Sequence, residues 1–121
     1  MKAGLMKRVV IGGAILCLAA VAAVAAQSKR EFTVHAKRFA FAPARLDVAQ
    51  DDMVKITFTA DDIAHSFTID EYRIAKRADA GQTVAFEFRA DRPGTHRIYC
   101  TLTEDDGCRR MHGELVVRAR D

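Results

Sequence analysis

The sequence predicts an all-β domain, a Greek-key β-sandwich or barrel of about seven or eight strands, preceded by an N-terminal hydrophobic segment. Two observations support this fold class. Apolar and polar residues alternate with period two through most of residues 32–117, as they do in half-buried strands. The alternating runs recur at roughly 8–12-residue spacing with turn residues between them, which is typical of sandwiches and barrels.

The N-terminal segment has the three parts of an export signal. Residues 1–8 carry three basic residues and no acidic one, and residues 9–26 are eighteen uncharged residues that end in small side chains. This pattern predicts a signal peptide over residues 1–26, cleaved after Ala26, and a domain over residues 27–121. The alternative is an uncleaved membrane anchor, since about 20 apolar residues span a bilayer. In both cases we expect the domain to be periplasmic or extracellular, and tethered by residues 9–26 in the second case.

The charge of the chain belongs to this N-terminal segment. The 121 residues include 19 basic and 16 acidic ones, a formal net charge of +3. Lys2, Lys7 and Arg8 account for the whole surplus, so the domain is formally neutral. Without a basic patch or interleaved exposed aromatic residues, no nucleic-acid partner is expected. A membrane is a partner only if the segment stays uncleaved.

Within the domain, each run of alternation predicts one strand. Residues 50–52 and 91–94 break the alternation as turns, and residues 72–80 are charged and irregular, so we expect a helical turn there. The residues that mark the strands are, in chain order, Phe32, Val34 and Ala36; Phe39 and Phe41; Leu46 and Val48; Val54, Ile56 and Phe58; His65, Phe67 and Ile69; Val84, Phe86 and Phe88; Ile98 and Cys100; and Leu115 and Val117.

Soft metal-ligating side chains occur where these strands begin and end. His65 begins a strand, Cys100 ends one, and Met111 precedes the last strand after a polar loop that contains Cys108. An imidazole, a thiolate and a thioether at one end of a sandwich make a nitrogen–sulfur site suited to copper. A zinc ion usually has four strongly coordinating ligands, so this set of side chains favours copper over zinc.

Three segments in this order give the chain a family resemblance. They are Phe-Ala-Phe-Ala-Pro-Ala-Arg-Leu-Asp-Val at residues 39–48, His-Ser-Phe at residues 65–67, and residues 93–117 with Pro-Gly-Thr, Tyr-Cys and Met-His-Gly-Glu-Leu-Val-Val. Together they resemble the cupredoxin family, including the copper domain of cytochrome oxidase subunit II and cupredoxin domains associated with periplasmic iron uptake. The resemblance covers nearly all of the domain. It implies an eight-stranded Greek-key sandwich that handles copper or electrons outside the cytoplasm.

The resemblance also implies roles for individual residues. The family's early histidine ligand falls on His65, its thiolate ligand on Cys100 and its weak axial methionine on Met111. The family has a second histidine a few residues before the methionine, whereas this chain has Cys108. The binuclear oxidase pattern needs a second cysteine four positions after the first, and Glu104 stands there.

Two interpretations of the cysteines follow. In the first, one copper ion is bound by His65, Cys100, Cys108 and Met111, with His112 as a substitute ligand, and the protein transfers electrons or holds copper. Its partner is then a redox protein or a copper-handling protein. In the second, the oxidising compartment favours a Cys100–Cys108 disulfide, and the domain is a metal-free binding or accessory module.

No enzymatic activity is expected. Ser66 adjoins His65, but neighbouring strand residues point to opposite faces, so they do not form a hydrolytic triad. No glycine-rich phosphate loop follows a strand. We expect Asp61 and Asp62 to form a turn, and residues 101–110 to form a solvated loop.

Overall fold

The computed structural model describes residues 28–120, which form a β-sandwich of two sheets. Within this range there are nine strands and two 3₁₀ turns. The 3₁₀ turns are Asp70–Tyr72 and Asp106–Arg110. The strands are β1 (Lys29–Lys37), β2 (Ala40–Ala42), β3 (Arg45–Ala49), β4 (Met53–Ala60), β5 (His65–Ile69), β6 (Ile74–Ala78), β7 (Thr83–Arg89), β8 (Gly94–Tyr99) and β9 (His112–Arg118).

The strands divide between a four-stranded and a five-stranded sheet. The orders are β2-β1-β4-β7 and β3-β9-β8-β5-β6. β1 runs parallel to β4 and β3 parallel to β9, while the other pairs are antiparallel. The all-β sandwich expected from the sequence is confirmed.

Phenylalanine side chains form the centre of the core between the sheets. Phe58 and Phe67 come from opposite sheets, are fully buried and have ring centroids 5.5 Å apart. The ring centroid of Phe41 lies 6.3 Å from that of Phe58 and 6.1 Å from that of Phe67. Tilted and edge-on pairs at such separations each stabilise by about 0.5–1.5 kcal/mol beyond burial of their area.

β6 has no period-two signal in its sequence and lies in the stretch that the sequence predicts to be irregular. Its two ends, Ile74 and Ala78, are buried, but the three residues between them are exposed. Because β6 is the edge strand of its sheet, it shows no period-two pattern. A 3₁₀ turn lies just before it, at Asp70–Tyr72, and shares only Tyr72 with the stretch in which the helical turn is expected.

β5 is buried on both faces, although its sequence alternates. All five of its residues are buried, including Ser66 and Thr68. The Ser66 hydroxyl accepts a 2.7 Å hydrogen bond from the Thr101 backbone N–H, so the segment after β8 covers this face.

The strands give the sandwich two distinct ends. β1 and β4 both start at the end defined here as the Lys29 end, where β3, β7 and β9 finish. β4 runs from there to Ala60, next to the end where β5 begins and β8 finishes, defined here as the His65 end. The predicted signal peptide and its cleavage site lie outside the described residues. Within residues 28–120, no helix is long and apolar enough to cross a membrane.

Replacing Gly113 by Ala should destabilise the domain. Gly113 is buried in β9, and a methyl group there would collide with the carbonyl oxygen of Ala44, which accepts a 2.8 Å hydrogen bond from Glu114 N–H. Overpacking of this kind costs about 1–3 kcal/mol. Urea unfolding should show this loss for Gly113→Ala and almost none for the exposed neighbour His112→Ala. Equal stability of the two variants would show that the β9 contact is unimportant.

Candidate functional site

The strand ends bring the candidate residues to the His65 end. β8 and β9 pair antiparallel with Tyr99 opposite His112, so the next residues outward are Cys100 and Met111. On its other side β8 pairs with β5, Tyr99 facing Thr68. His65, Cys100 and Met111 therefore come from three neighbouring strands of one sheet.

The imidazole of His65 is fully buried and has a partner on only one nitrogen. Its Nε2 lies 2.8 Å from the Oδ1 of Asp62. Because a carboxylate only accepts, Nε2 is the donor in this bond, and in a neutral imidazole the lone pair then lies on Nδ1. Nδ1 has no hydrogen-bond partner among the described residues. The ring of Phe39 packs against the imidazole edge-on, with centroids 6.4 Å apart.

Asp62 is held by three hydrogen bonds. Its carboxylate accepts from the backbone N–H of Arg38 at 2.9 Å and of Ile63 at 2.8 Å, besides the His65 imidazole. Partial burial raises the pKa of this carboxyl, but the three hydrogen bonds outweigh burial and keep the pKa well below its usual range. Asp62 is therefore ionised at neutral pH and fixes the tautomer of the histidine.

Cys100 and Cys108 form a disulfide in this structure. Their Cα atoms are 5.2 Å apart across a sequence separation of 8. Each sulfur also accepts a backbone N–H: Ser66 donates to Cys100 Sγ at 3.4 Å, and Leu102 donates to Cys108 Sγ at 3.1 Å. The disulfide interpretation thus describes the oxidised protein, which has no thiolate at this end.

Met111 and His112 differ in burial, as their opposite strand parity predicts. Met111 is fully buried, and its backbone N–H donates to the carbonyl of Cys108 at 3.1 Å. His112 is exposed, with Nδ1 3.4 Å from the Arg110 carbonyl oxygen. Met111 is thus buried beside the disulfide, whereas the proposed substitute ligand is at the surface.

The loop between the cysteines is mostly exposed, as expected of a solvated loop, but several of its residues have fixed contacts. The Asp105 carboxylate caps the second 3₁₀ turn by accepting from Gly107 N–H at 3.0 Å. Gly107 lies against the Phe39 ring, where a side chain would collide. Glu104 pairs with Arg77 of β6 at 2.9 Å. The loop is therefore attached both to the core and to the edge strand.

A cavity of about 280 Å³ opens beside the disulfide. Its wall combines an apolar part with a charged rim and includes His65 and Cys108 but not Cys100. The other lining residues are Phe39, Ile63, Ala64, Arg77, Leu102, Glu104 and Asp105.

The predicted metal ligands stay a prediction. Between residues 28 and 120, the oxidised protein has no group of three or more His, Cys, Asp or Glu side chains arranged to hold a metal ion. The arrangement nevertheless contains one orphaned imidazole nitrogen, one buried thioether and two sulfurs at the same end of the sandwich.

A family model described as a cupredoxin-like domain matches residues 8–117 of the chain. The chain belongs to this family. Nitrous-oxide reductase of Stutzerimonas stutzeri is 31% identical to this cupredoxin-like domain over 83 residues, which are 65% of the chain but 12% of the reductase. The domain therefore spans about an eighth of that relative's length.

Solved structures share the fold of this cupredoxin-like domain at low sequence identity. Auracyanin A, a blue copper protein of Chloroflexus aurantiacus, matches with a TM-score of 0.63 and 18% identity, over 75% of this chain and all of its own. The metal-binding domain of the Streptococcus pneumoniae Cu(I)-exporting ATPase, solved with Cu(I), has a TM-score of 0.62 and 14% identity, covering 78% and 90% of the two chains. A heme-copper terminal oxidase has a TM-score of 0.65 and 18% identity, covering 74% and 65%.

Asp62 is the site residue that sequence reasoning missed, because Asp61 and Asp62 together suited a turn. The available signal was the spacing: an aspartate three residues before a histidine that opens a strand can turn back onto its imidazole. Asp61 instead pairs with the exposed His35 at 2.8 Å.

Asp62→Asn should destabilise the domain by about 1–2 kcal/mol at pH 7, because hydrogen bonds to a charged acceptor become neutral ones. The folded-state pKa is lowered, so this stability is fully present above the unfolded-state value of 3.8 and is lost as the pH falls through the folded-state value. The difference between the two proteins in urea unfolding should therefore begin to shrink below about pH 4 and continue to shrink as the pH falls further. Asp61→Asn is the matched control and should change little. A difference independent of pH would contradict the charge argument.

Proposed function

We propose that the reduced domain holds one copper ion as Cu(I), with ligands from His65, Cys100, Cys108 and Met111. The observation that carries this proposal is the buried Nδ1 of His65, which has no partner while Nε2 is fixed by Asp62. A buried nitrogen without a partner costs about 1–3 kcal/mol. Neutral imidazole is also a common metal ligand, and a ligand on Nδ1 would remove that cost.

The two sulfurs are suited to this role once the disulfide is reduced. The N–H groups of Ser66 and Leu102 already point at them, and hydrogen bonds to a charged sulfur are stronger than those to a neutral one. Thiolates and thioethers favour Cu(I) over harder ions. The disulfide form lacks both thiolates, so copper holding depends on the thiol state of the protein.

In this proposal copper is mainly cargo, and the domain is a non-enzymatic carrier. Two thiolates favour the Cu(I) state, which supports holding at least as much as rapid electron transfer. When bound, the ion would supply single-electron chemistry. The partner is a copper-handling protein or a redox protein.

We also propose that the domain acts outside the cytoplasm. A disulfide between buried cysteines persists in oxidising compartments and is rare in the cytosol. The export signal expected over residues 1–26 agrees with such a location.

Copper titration of reduced and oxidised protein tests the proposal. In competition with a chromophoric Cu(I) chelator, the reduced chain should bind one equivalent and develop sulfur-to-copper charge-transfer absorption. The disulfide form should leave copper with the chelator. Thiol counting before each titration assigns the state. A reduced protein that takes no Cu(I) from the chelator would sink the proposal.

Variants identify the ligands. His65→Ala and Met111→Leu should each weaken Cu(I) binding about tenfold or more, and Cys100→Ser should weaken it further, since each tenfold step corresponds to about 1.4 kcal/mol. His112→Ala is the control from the same strand end and should retain wild-type affinity. Weaker Cu(I) binding by His112→Ala together with unchanged binding by Met111→Leu would mean that His112, and not Met111, is the ligand.

The second candidate function is a metal-free binding or accessory module. The formed Cys100–Cys108 disulfide favours it, because this bond fixes the loop and occupies both sulfurs. In the chain-entropy model, closing so short a loop stabilises by about 2–3 kcal/mol. The double Cys100→Ser/Cys108→Ser variant should lose about this much free energy of unfolding, measured in urea. If the domain is a metal-free module, the double variant should still bind its partner.

A further inference from the structure

We propose that the disulfide is opened from one side: an external thiol enters the cavity and attacks the sulfur of Cys108, and Cys100 leaves. The inference rests on the proposed function, because reduction produces the form that holds copper. It adds a specific reaction partner, a dithiol protein, and a specific sulfur at which that partner forms a bond.

The cavity distinguishes the two cysteines. Whole-residue exposure does not, since Cys100 and Cys108 are 4% and 2% exposed. The cavity, however, is bounded by Cys108 and not by Cys100. Its volume of about 280 Å³ is many times the ~10–15 Å³ that a cavity needs to hold one water molecule, so it has room for a small side chain.

Cys100 does not line this cavity and is attached to β5. Its Sγ accepts the Ser66 N–H of β5 at 3.4 Å, and the following residue, Thr101, is fixed to the Ser66 hydroxyl at 2.7 Å. This double attachment keeps Cys100 against β5. A thiol that enters the cavity meets the apolar part of its wall, which includes Phe39 and Leu102, and reaches Cys108.

The exchange is balanced in two steps. The external thiolate forms a bond to Cys108 Sγ, the Cys100–Cys108 bond breaks, and its electron pair leaves on Cys100 Sγ, where the Ser66 N–H stabilises the negative charge. The second thiol of the partner then attacks its own sulfur in the mixed disulfide and releases Cys108 as a thiolate. The partner gives up two electrons and two protons, and the domain ends with two thiols.

Trapping of the mixed disulfide tests which sulfur is attacked. The full chain, with Cys17 first blocked by N-ethylmaleimide, is exposed briefly to glutathione and quenched with acid, and the released thiol is then alkylated. Cleavage after Glu104 separates the two cysteines for mass spectrometry. We expect glutathione on Cys108 in about tenfold or greater excess over Cys100 at early times. Glutathione on Cys100, or an equal distribution, would overturn the inference.

Cavity variants test the route. Ala64 lines the cavity and Ala85 is exposed on β7, so the same substitution fills the cavity at one position only. Ala64→Phe should slow reduction by dithiothreitol about fivefold or more, Ala85→Phe should leave the rate unchanged, and Leu102→Ala should raise it. Circular dichroism checks that each variant is folded. Equal rates for all three variants would exclude the cavity as the route.

These outcomes are independent of copper. Glutathione on Cys108 in a protein that binds no Cu(I) after full reduction leaves the exchange intact and removes the proposed function. Cu(I) binding together with glutathione on Cys100 does the reverse.

Discussion

Hydrogen bonding of β8 to β5 on one side and to β9 on the other places every other part of the site. This pairing sets Tyr99 opposite both Thr68 and His112, so the residues just beyond it, Cys100 and Met111, are side by side where the strands separate. The close approach of Gly113 to Ala44 holds β9 in that position. A slip of one residue would turn all of these side chains to the opposite face.

The site combines fixed groups with one unsatisfied group. Asp62 holds His65 from one side, and backbone N–H groups hold both sulfurs, so three of the four candidate ligands already have an orientation. The Nδ1 of His65 is buried without a hydrogen-bond partner among the described residues, and this unsatisfied atom destabilises the oxidised protein. Local costs of this kind concentrate at functional sites.

The sequence predicted the features that depend on alternating apolar and polar residues, and it missed those that depend on other contacts. The family, the sandwich and the placement of His65 at a strand start followed from period-two runs and ordered motifs. β6 gave no such signal because it is an edge strand with only its ends buried. The hydrogen bond that Asp62 accepts from His65 depends on how a short turn folds back. The state of Cys100 and Cys108 depends on redox conditions as well as on the fold, so the chain alone left it open.

The two ends of the sandwich have a consequence for how the domain is presented to other molecules. The chain enters β1 at the Lys29 end, and the eight residues of β4 separate that end from His65 by about 26 Å at ~3.3 Å per residue. Anything joined to the domain before residue 28 is therefore attached at the far side of the molecule. The cavity and the disulfide lie at the opposite end from that attachment point, so a partner that docks on the cavity would approach the domain from the end farthest from where the chain enters β1.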